Sequence, residues 1–303
     1  MRSQLRGSGV ACGAAVVVAT LLLWGGTASV DAQAPAPYTP ARTAAGQPDL
    51  NGFWQAINTA NWDVEEHAPE VAPHETLVGA YLAKPPGFGV VEGGTIPYNA
   101  AGLAQRAKHL ENRLKPDPLP PNDAPYDNSD PEAKCFHPGV PRGTYMPLPF
   151  QIVQSHNYPK IFIAYTFGGD STRVINLDKT FKDLLENYAY PGQSIGRWVG
   201  NTLEVETRWF NTSVWLDRSG NFYGENAVVT ERYTLTSPFH MMYEVTIEDP
   251  SVFTRPWKMS MPLYKLVDPS SKLHILEFSC VPLTEEFSYG KFKKGVFKLP
   301  DLQ

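Results

Sequence analysis

From Pro147 onward the chain is written in short apolar segments, each closed by a turn signal, and this spacing restricts the fold more than any other feature. Strand-like stretches occupy residues 150–155, 160–167, 171–177, 202–209, 227–236, 239–248, 257–266 and 272–280. Between them lie Gly168-Gly169-Asp170, Gly200-Asn201, Ser219-Gly220-Asn221, Ser237-Pro238, Asp249-Pro250 and Asp268-Pro269-Ser270. Gly, Pro, Asn and Asp supply the backbone angles and local hydrogen bonds that reversals need. No helical run separates the segments, which argues against a parallel α/β sheet. The spacing predicts a mainly all-β fold, an antiparallel meander closing as a barrel or sandwich. An aromatic content of 12% suits that class better than a helical bundle.

Side chains alternate between the faces of a strand. Phe239, Met241, Tyr243, Val245 and Ile247 make one apolar face, while His240, Glu244, Thr246 and Glu248 lie on the other. Three segments break the rule by carrying a charge on the apolar face. They are Glu231 between Val229 and Tyr233, Arg173 beside Ile175, and Glu277 after Leu273 and Ile275. A lone buried charge is costly, so these residues are expected to be paired or functional. Arg232 points the other way and is expected to form an external salt bridge.

Proline marks a change of organisation: 20 of the 28 prolines lie at or before residue 159. Residues 33–47 read as a flexible leader and residues 115–125 as an extended connection. Residues 99–114 are the one good helix, with Ala and Leu on helical spacing and Asn99 as a cap. Residues 48–146 therefore read as an N-terminal strand plus a Pro-rich and helical covering segment. Residues 147–303 then complete a single domain.

The first 32 residues read as a secretory signal peptide. Arg2 and Arg6 precede an apolar run over residues 10–24, and cleavage is expected after Ala32. The protein is thus expected to be periplasmic or secreted, without a membrane span. Signal removal deletes Cys12 and leaves Cys135 and Cys280, whose pairing as a disulfide is the leading reading in an oxidising compartment. The alternative is two buried thiols.

The strings PDLNGFW (48–54), PGVPR (138–142), PFQIVQ (149–154), GRWVGNTLEVET (196–207), WLDRSG (215–220), ERY (231–233), TIEDP (246–250) and RPW (255–257) occur together. This set resembles a large family of secreted bacterial β-rich proteins of unassigned function, over about residues 48 to 280. The resemblance implies homology without an established activity. The chain departs from that pattern at Gly192-Gln193-Ser194, where the family often has Gly-His-Ser, and at Tyr223-Gly224, where it often has His-Ser. Chemistry based on those histidines is doubtful here. Gly52-Phe53-Trp54 also resembles the Gly-x-Trp signature of lipocalin-like barrels, which implies an enclosed ligand cavity.

The chain has no phosphate-binding Gly-Lys-Ser/Thr loop, no Gly-x-Gly-x-x-Gly, no Gly-x-Ser-x-Gly and no His-Glu-x-x-His. A net charge of −5 lacks the footprint of a nucleic-acid binder. No close metal-spaced histidine pair is present, and Asp63, Glu65, Glu66 and His67 read as a solvated acidic loop. The expectation is an exported protein that binds a small organic molecule in an aromatic-lined barrel cavity. Cofactor-independent acid–base chemistry of the lyase, isomerase or hydrolase type is the favoured activity. The alternatives are a non-catalytic ligand-binding protein and an envelope interaction protein. Glu231, Arg173, Tyr165 and His137 are the candidate catalytic residues. Glu277, His156, Asp170, Trp198 and Trp257 are the candidate ligand contacts. No metal or cofactor is expected, and the oligomeric state is open. A buried ion pair that merely locks the sheet is the competing reading of Arg173 and Glu231.

Overall fold

A computed structural model describes residues 38–71, 83–112, 130–167, 172–211, 214–270, 272–275 and 278. The expected signal peptide lies outside the described residues, and the described residues from Tyr38 onward form one compact unit. Nine strands close into a barrel. They are β1 (Gly52–Ala56), β2 (Phe150–Gln154), β3 (Lys160–Tyr165), β4 (Thr172–Asn176), β5 (Gln193–Val199), β6 (Thr202–Arg208), β7 (Val228–Leu235), β8 (His240–Glu248) and β9 (Trp257–Leu266). Two helices accompany them, α1 (Ala100–Asn112) and a single turn α2 (Arg142–Tyr145).

Neighbours in the barrel pair antiparallel, with one exception: β4 and β5 run parallel through Ile175↔Ser194 and Asn176↔Ile195. Parity requires it. A closed ring in which every neighbour is antiparallel needs an even number of strands, and this ring has nine. Since β1 and β9 pair antiparallel, one parallel junction elsewhere restores the count. The expected meander is therefore corrected at that point. The chain crosses back outside the barrel between Asn176 and Gln193 with only a 3-10 turn, Phe181–Asp183.

Alternation sends the apolar set inward. β7 and β8 read buried at every second residue, which places Val229, Glu231, Tyr233 and Leu235 beside Met241, Tyr243, Val245 and Ile247. Arg232 faces outward to Glu204 at 2.6 Å, as expected. The interior holds Trp54, Phe150, Tyr165, Tyr233, Tyr243 and Trp257, all at most 4% exposed and part of one continuous core cluster. The two described grooves both lie outside this interior.

Four further expectations are corrected. Strand β5 was not among the stretches read from the sequence. Residues 272–275 form no strand. The leader is structured over its described part: Thr43 N–H donates to Gln47 O at 2.8 Å, and Arg42 bridges Pro48. The acidic stretch at 63–67 is not a solvated loop, because Asp63 is 5% exposed and Val64 fully buried.

One end of the barrel carries the tight β2–β3, β5–β6 and β7–β8 turns. The other end receives the long connections and is covered by residues 57–64, 130–146, 209–211 and 214–223. Among the described residues no helix is long and apolar enough to cross a membrane.

Candidate functional site

Arg173 enters from β4 beside the parallel junction, where only two residue pairs join β4 to β5. Its guanidinium reaches across the strands that follow. Nε donates to Ser194 Oγ (2.9 Å), Nη1 to Glu231 Oε1 (3.0 Å) and Nη2 to Thr207 Oγ1 (2.8 Å) and Glu231 Oε2. Glu231 Oε1 also accepts from the hydroxyls of Tyr233 (2.9 Å) and Tyr243 (2.6 Å). One side chain thus laces β4 to β5, β6 and β7, and Tyr243 extends the lacing to β8. The fork geometry of arginine suits this bidentate contact. Burial opposes the charge of Arg173, but Glu231 outweighs it and holds the guanidinium well above its ordinary pKa.

Against this pair lies a second set of polar groups. Tyr165 ends β3, Thr144 belongs to α2, and His137 sits in the Cys135–Arg142 segment that leads into α2. The His137 and Tyr165 rings meet edge to face at 5.5 Å. Helix α2 presses on the Tyr165 ring through Gly143, where a Cβ would sit only 3.0 Å from the ring. The Tyr165 hydroxyl lies close enough to Thr144 and Arg173 to feel both as hydrogen-bonding neighbours, yet it completes no bond of full geometry. Thr144 Oγ1 and His137 Nε2 are likewise buried without a hydrogen-bond partner among the described residues.

The protonation states follow from these contacts. Gly139 N–H donates to His137 Nδ1 at 2.8 Å, so the neutral ring carries its proton on Nε2. Burial and then the Arg173 charge pull His137 down to about 4. Burial pushes the Tyr165 hydroxyl upward, with Arg173 opposing and Glu231 adding to the shift. At neutral pH the set therefore consists of an imidazole N–H and two neutral hydroxyls. Groups of this kind donate to an electron-rich oxygen and need no proton transfer to do so.

A separate buried network fixes the covering segment. Arg142 is fully buried. It donates through Nε to Asn61 Oδ1 (2.8 Å), through Nη1 and Nη2 to Asp130 (2.7 and 2.8 Å), and through Nη2 to Glu132 (2.7 Å). Arg218 grips the same Glu132. Beside it, Asp217 accepts from Val64 N–H (3.0 Å), Ser219 N–H (2.9 Å), Asn221 N–H (3.1 Å) and Asn221 Nδ2 (2.7 Å). Burial, followed by the nearby Asp63 charge, raises Asp217 to about 7.

Of the residues singled out in the sequence, Glu231, Arg173, Tyr165 and His137 come together at the covered end. Trp257 is buried at that end and meets Phe253 edge to face. His156 and Trp198 do not join them. His156 is exposed on the β2–β3 turn and lines a groove of about 240 Å³ with Thr43 and Gln154, at the opposite end. Trp198 is half-buried there, opposite Leu203. Asp170, Glu277 and Cys280 lie outside the described residues. Cys135 follows the 3-10 turn Pro131–Lys134 as its cap. Sequence reasoning missed Thr144, Arg142, Asp217 and Asn221. Asp130-Pro131-Glu132 upstream of Arg142 was the available signal for one half of that network. Asn61 and Arg218 are too distant in sequence to read. No group of three or more metal-ligating side chains is present among the described residues.

Comparison with family models, with curated proteins and with solved structures finds no match.

Proposed function

We propose that the protein is an exported binder of a small organic molecule, and that the covered end of the barrel supplies the polar anchor. The observation that carries this reading is the convergence of His137 Nε2, Thr144 Oγ1 and Tyr165 Oη beside Arg173. A buried polar group without a partner costs about 1–3 kcal/mol, and a protein with no use for three such groups would replace them with apolar ones. All three can donate, and Arg173 lies behind them, so the complementary ligand group is a carboxylate or another electron-rich oxygen.

The same geometry favours binding over acid–base catalysis. Glu231 already accepts from two arginine nitrogens and two tyrosine hydroxyls, which suits a charge that positions Arg173 better than a general base. Burial moves both groups away from neutral pH, His137 down to about 4 and the Tyr165 hydroxyl upward. Export rests on the basic start, apolar run and small residues of positions 1–34. A Cys135–Cys280 disulfide belongs to the same reading, since it would tie the covering segment to the C-terminal part in an oxidising compartment.

Benzoate is a suitable probe. Calorimetric titration of the exported protein is expected to show binding that weakens at least tenfold in Tyr165→Phe and in Thr144→Val. Absence of benzoate binding, or equal affinity in wild type and both variants, would overturn the assignment.

A further inference from the structure

The barrel wall divides at a second place, where β1 leaves β9. Pairing runs from Phe53↔Leu266 to Ala56↔Leu263 and then stops. Beyond Ala56 the chain turns away through residues 57–60, with Ala60 N–H held by Asn58 Oδ1 at 3.0 Å. The vacated edge of β9 is taken by residues 90–92. Ser260 N–H donates to Val90 O (3.0 Å), and Glu92 N–H donates to Lys258 O (2.9 Å). Between the departing strand and its replacement lies a groove of about 370 Å³. That volume is within the range of small-molecule sites.

Its walls are apolar. Ile57 is 70% exposed and Phe88 97% exposed at the rim, and Pro86, Met261 and Pro262 complete them. Phe88 is the most exposed large apolar side chain among the described residues. The polar groups come from Thr59, which lines the groove, and from His67 behind it. Residues 67 and 87 exchange backbone hydrogen bonds at 2.9 and 3.0 Å, which lays the imidazole over Gly87. A Cβ at Gly87 would fall 2.0 Å from Thr59 Oγ1 and 2.8 Å from His67 Nε2, so only glycine lets these two groups approach the same spot. His67 Nδ1 lies 2.7 Å from Glu65 O. A carbonyl oxygen can only accept, so Nδ1 carries the proton and Nε2 is left as an acceptor. That acceptor is buried and has no hydrogen-bond partner among the described residues.

We infer that this groove is a second ligand site, distinct from the covered end, and that it takes a small aromatic molecule bearing a hydroxyl group. The ring fits between Phe88, Pro86 and Pro262. Its hydroxyl donates to His67 Nε2 and accepts from the Thr59 hydroxyl, the two groups that converge over Gly87. A ligand lacking a donor leaves the histidine acceptor unsatisfied, so discrimination follows from the same groups.

Phenol and toluene separate the donor requirement from simple apolar burial. In protein carrying a carbon-13 label on the methionine methyl groups, phenol is expected to shift the Met261 signal, since Met261 lines the groove and receives the Asn58 amide at 3.2 Å. Phenol is expected to bind at least fivefold more tightly than toluene. Phe88→Ala, at an exposed position, and Thr59→Val are each expected to weaken phenol at least fivefold. Tyr165→Phe is expected to leave it unchanged, which keeps this site separable from the one proposed above. Equal binding of phenol and toluene would overturn the inference. So would an unmoved Met261 signal, or phenol binding lost in Tyr165→Phe and kept in Thr59→Val.

Discussion

Replacing Glu231 by glutamine tests what the buried pair contributes. The substitution keeps the shape of the side chain and removes its charge. Glu231 is fully buried and Arg173 is 1% exposed, so neither charge is relieved by solvent. In the wild type four donors converge on the carboxylate: two nitrogens of Arg173 and the hydroxyls of Tyr233 and Tyr243. A glutamine amide must turn its NH2 group toward some of those donors, whichever way it is flipped. The guanidinium is then left buried without a counter-charge. Breaking a buried pair in this way costs about 3–5 kcal/mol. For a chain of this size each kcal/mol moves the melting temperature by about 2–4 °C, so a fall of about 10 °C is expected. Urea titration of wild type, Glu231→Gln, Glu231→Leu, Arg173→Met and the double variant Arg173→Met/Glu231→Leu measures the coupling directly. The double variant is expected to recover part of the loss, but not all of it, because the two tyrosine hydroxyls lose their acceptor. A loss below about 1 kcal/mol in Glu231→Gln, or strictly additive losses in the double variant, would refute the reasoning.

The tyrosines in the barrel should behave oppositely. Tyr243→Phe removes a hydrogen bond to a charged group and is expected to cost about 1.5–3 kcal/mol. Tyr165→Phe removes a hydroxyl without a completed bond and is expected to leave stability unchanged or raise it, as urea titration of both will show. The folded state holds the Asp217 proton up to about pH 7, whereas the unfolded carboxyl releases it near pH 4, so this group makes stability fall as pH rises between those values and adds no slope above them. Asp63→Asn removes the neighbouring charge and is expected to flatten that fall in a series of unfolding measurements from pH 4 to 8. Peptide mapping of the exported protein is expected to find an N-terminus near Gln33 and a Cys135–Cys280 cross-link. An intact Met1 or two alkylatable thiols would count against export and pairing respectively.

Strands whose interior face is filled by large apolar side chains were legible. β7, β8 and β9 were read to within a residue or so of their ends, because alternate positions carry Val, Ile, Met and Tyr. The charges on β4 and β7 stood out against that same alternation, which is why Arg173 and Glu231 could be paired before any contact was known. Strand β5 was missed for the converse reason. Its inward positions are Ser194, Gly196 and Trp198. The small residues there are required by their neighbours. A Cβ at residue 196 would lie 2.7 Å from Ile175 Cγ2 and 2.9 Å from Leu177 Cδ2, and Ser194 is the acceptor for Arg173 Nε. An apolar pattern cannot signal a strand whose interior is filled from the strands beside it. The parallel junction was equally hidden, since it follows from the number of strands that close the ring and from no local residue.

The division between scaffold and site follows from where polar groups find partners. Inside the barrel four of the five Arg173 N–H groups and both Glu231 oxygens are engaged on neighbouring strands, so that centre holds the wall together at its weakest junction. The groups left with spare capacity lie where an irregular segment meets the barrel. His137 and Thr144 come from the covering segment onto Tyr165, and Thr59 and His67 come from the loops that leave β1. Irregular segments placed on a rigid frame are where binding residues gather in proteins generally. Here the frame also explains why they stay in place. Arg142 fixes α2 through Asn61, Asp130 and Glu132, and the backbone bridge between residues 67 and 87 fixes His67. Arg142→Met should therefore weaken the benzoate binding proposed at Tyr165 from a position that touches no ligand. Glu231→Gln should act on the whole barrel.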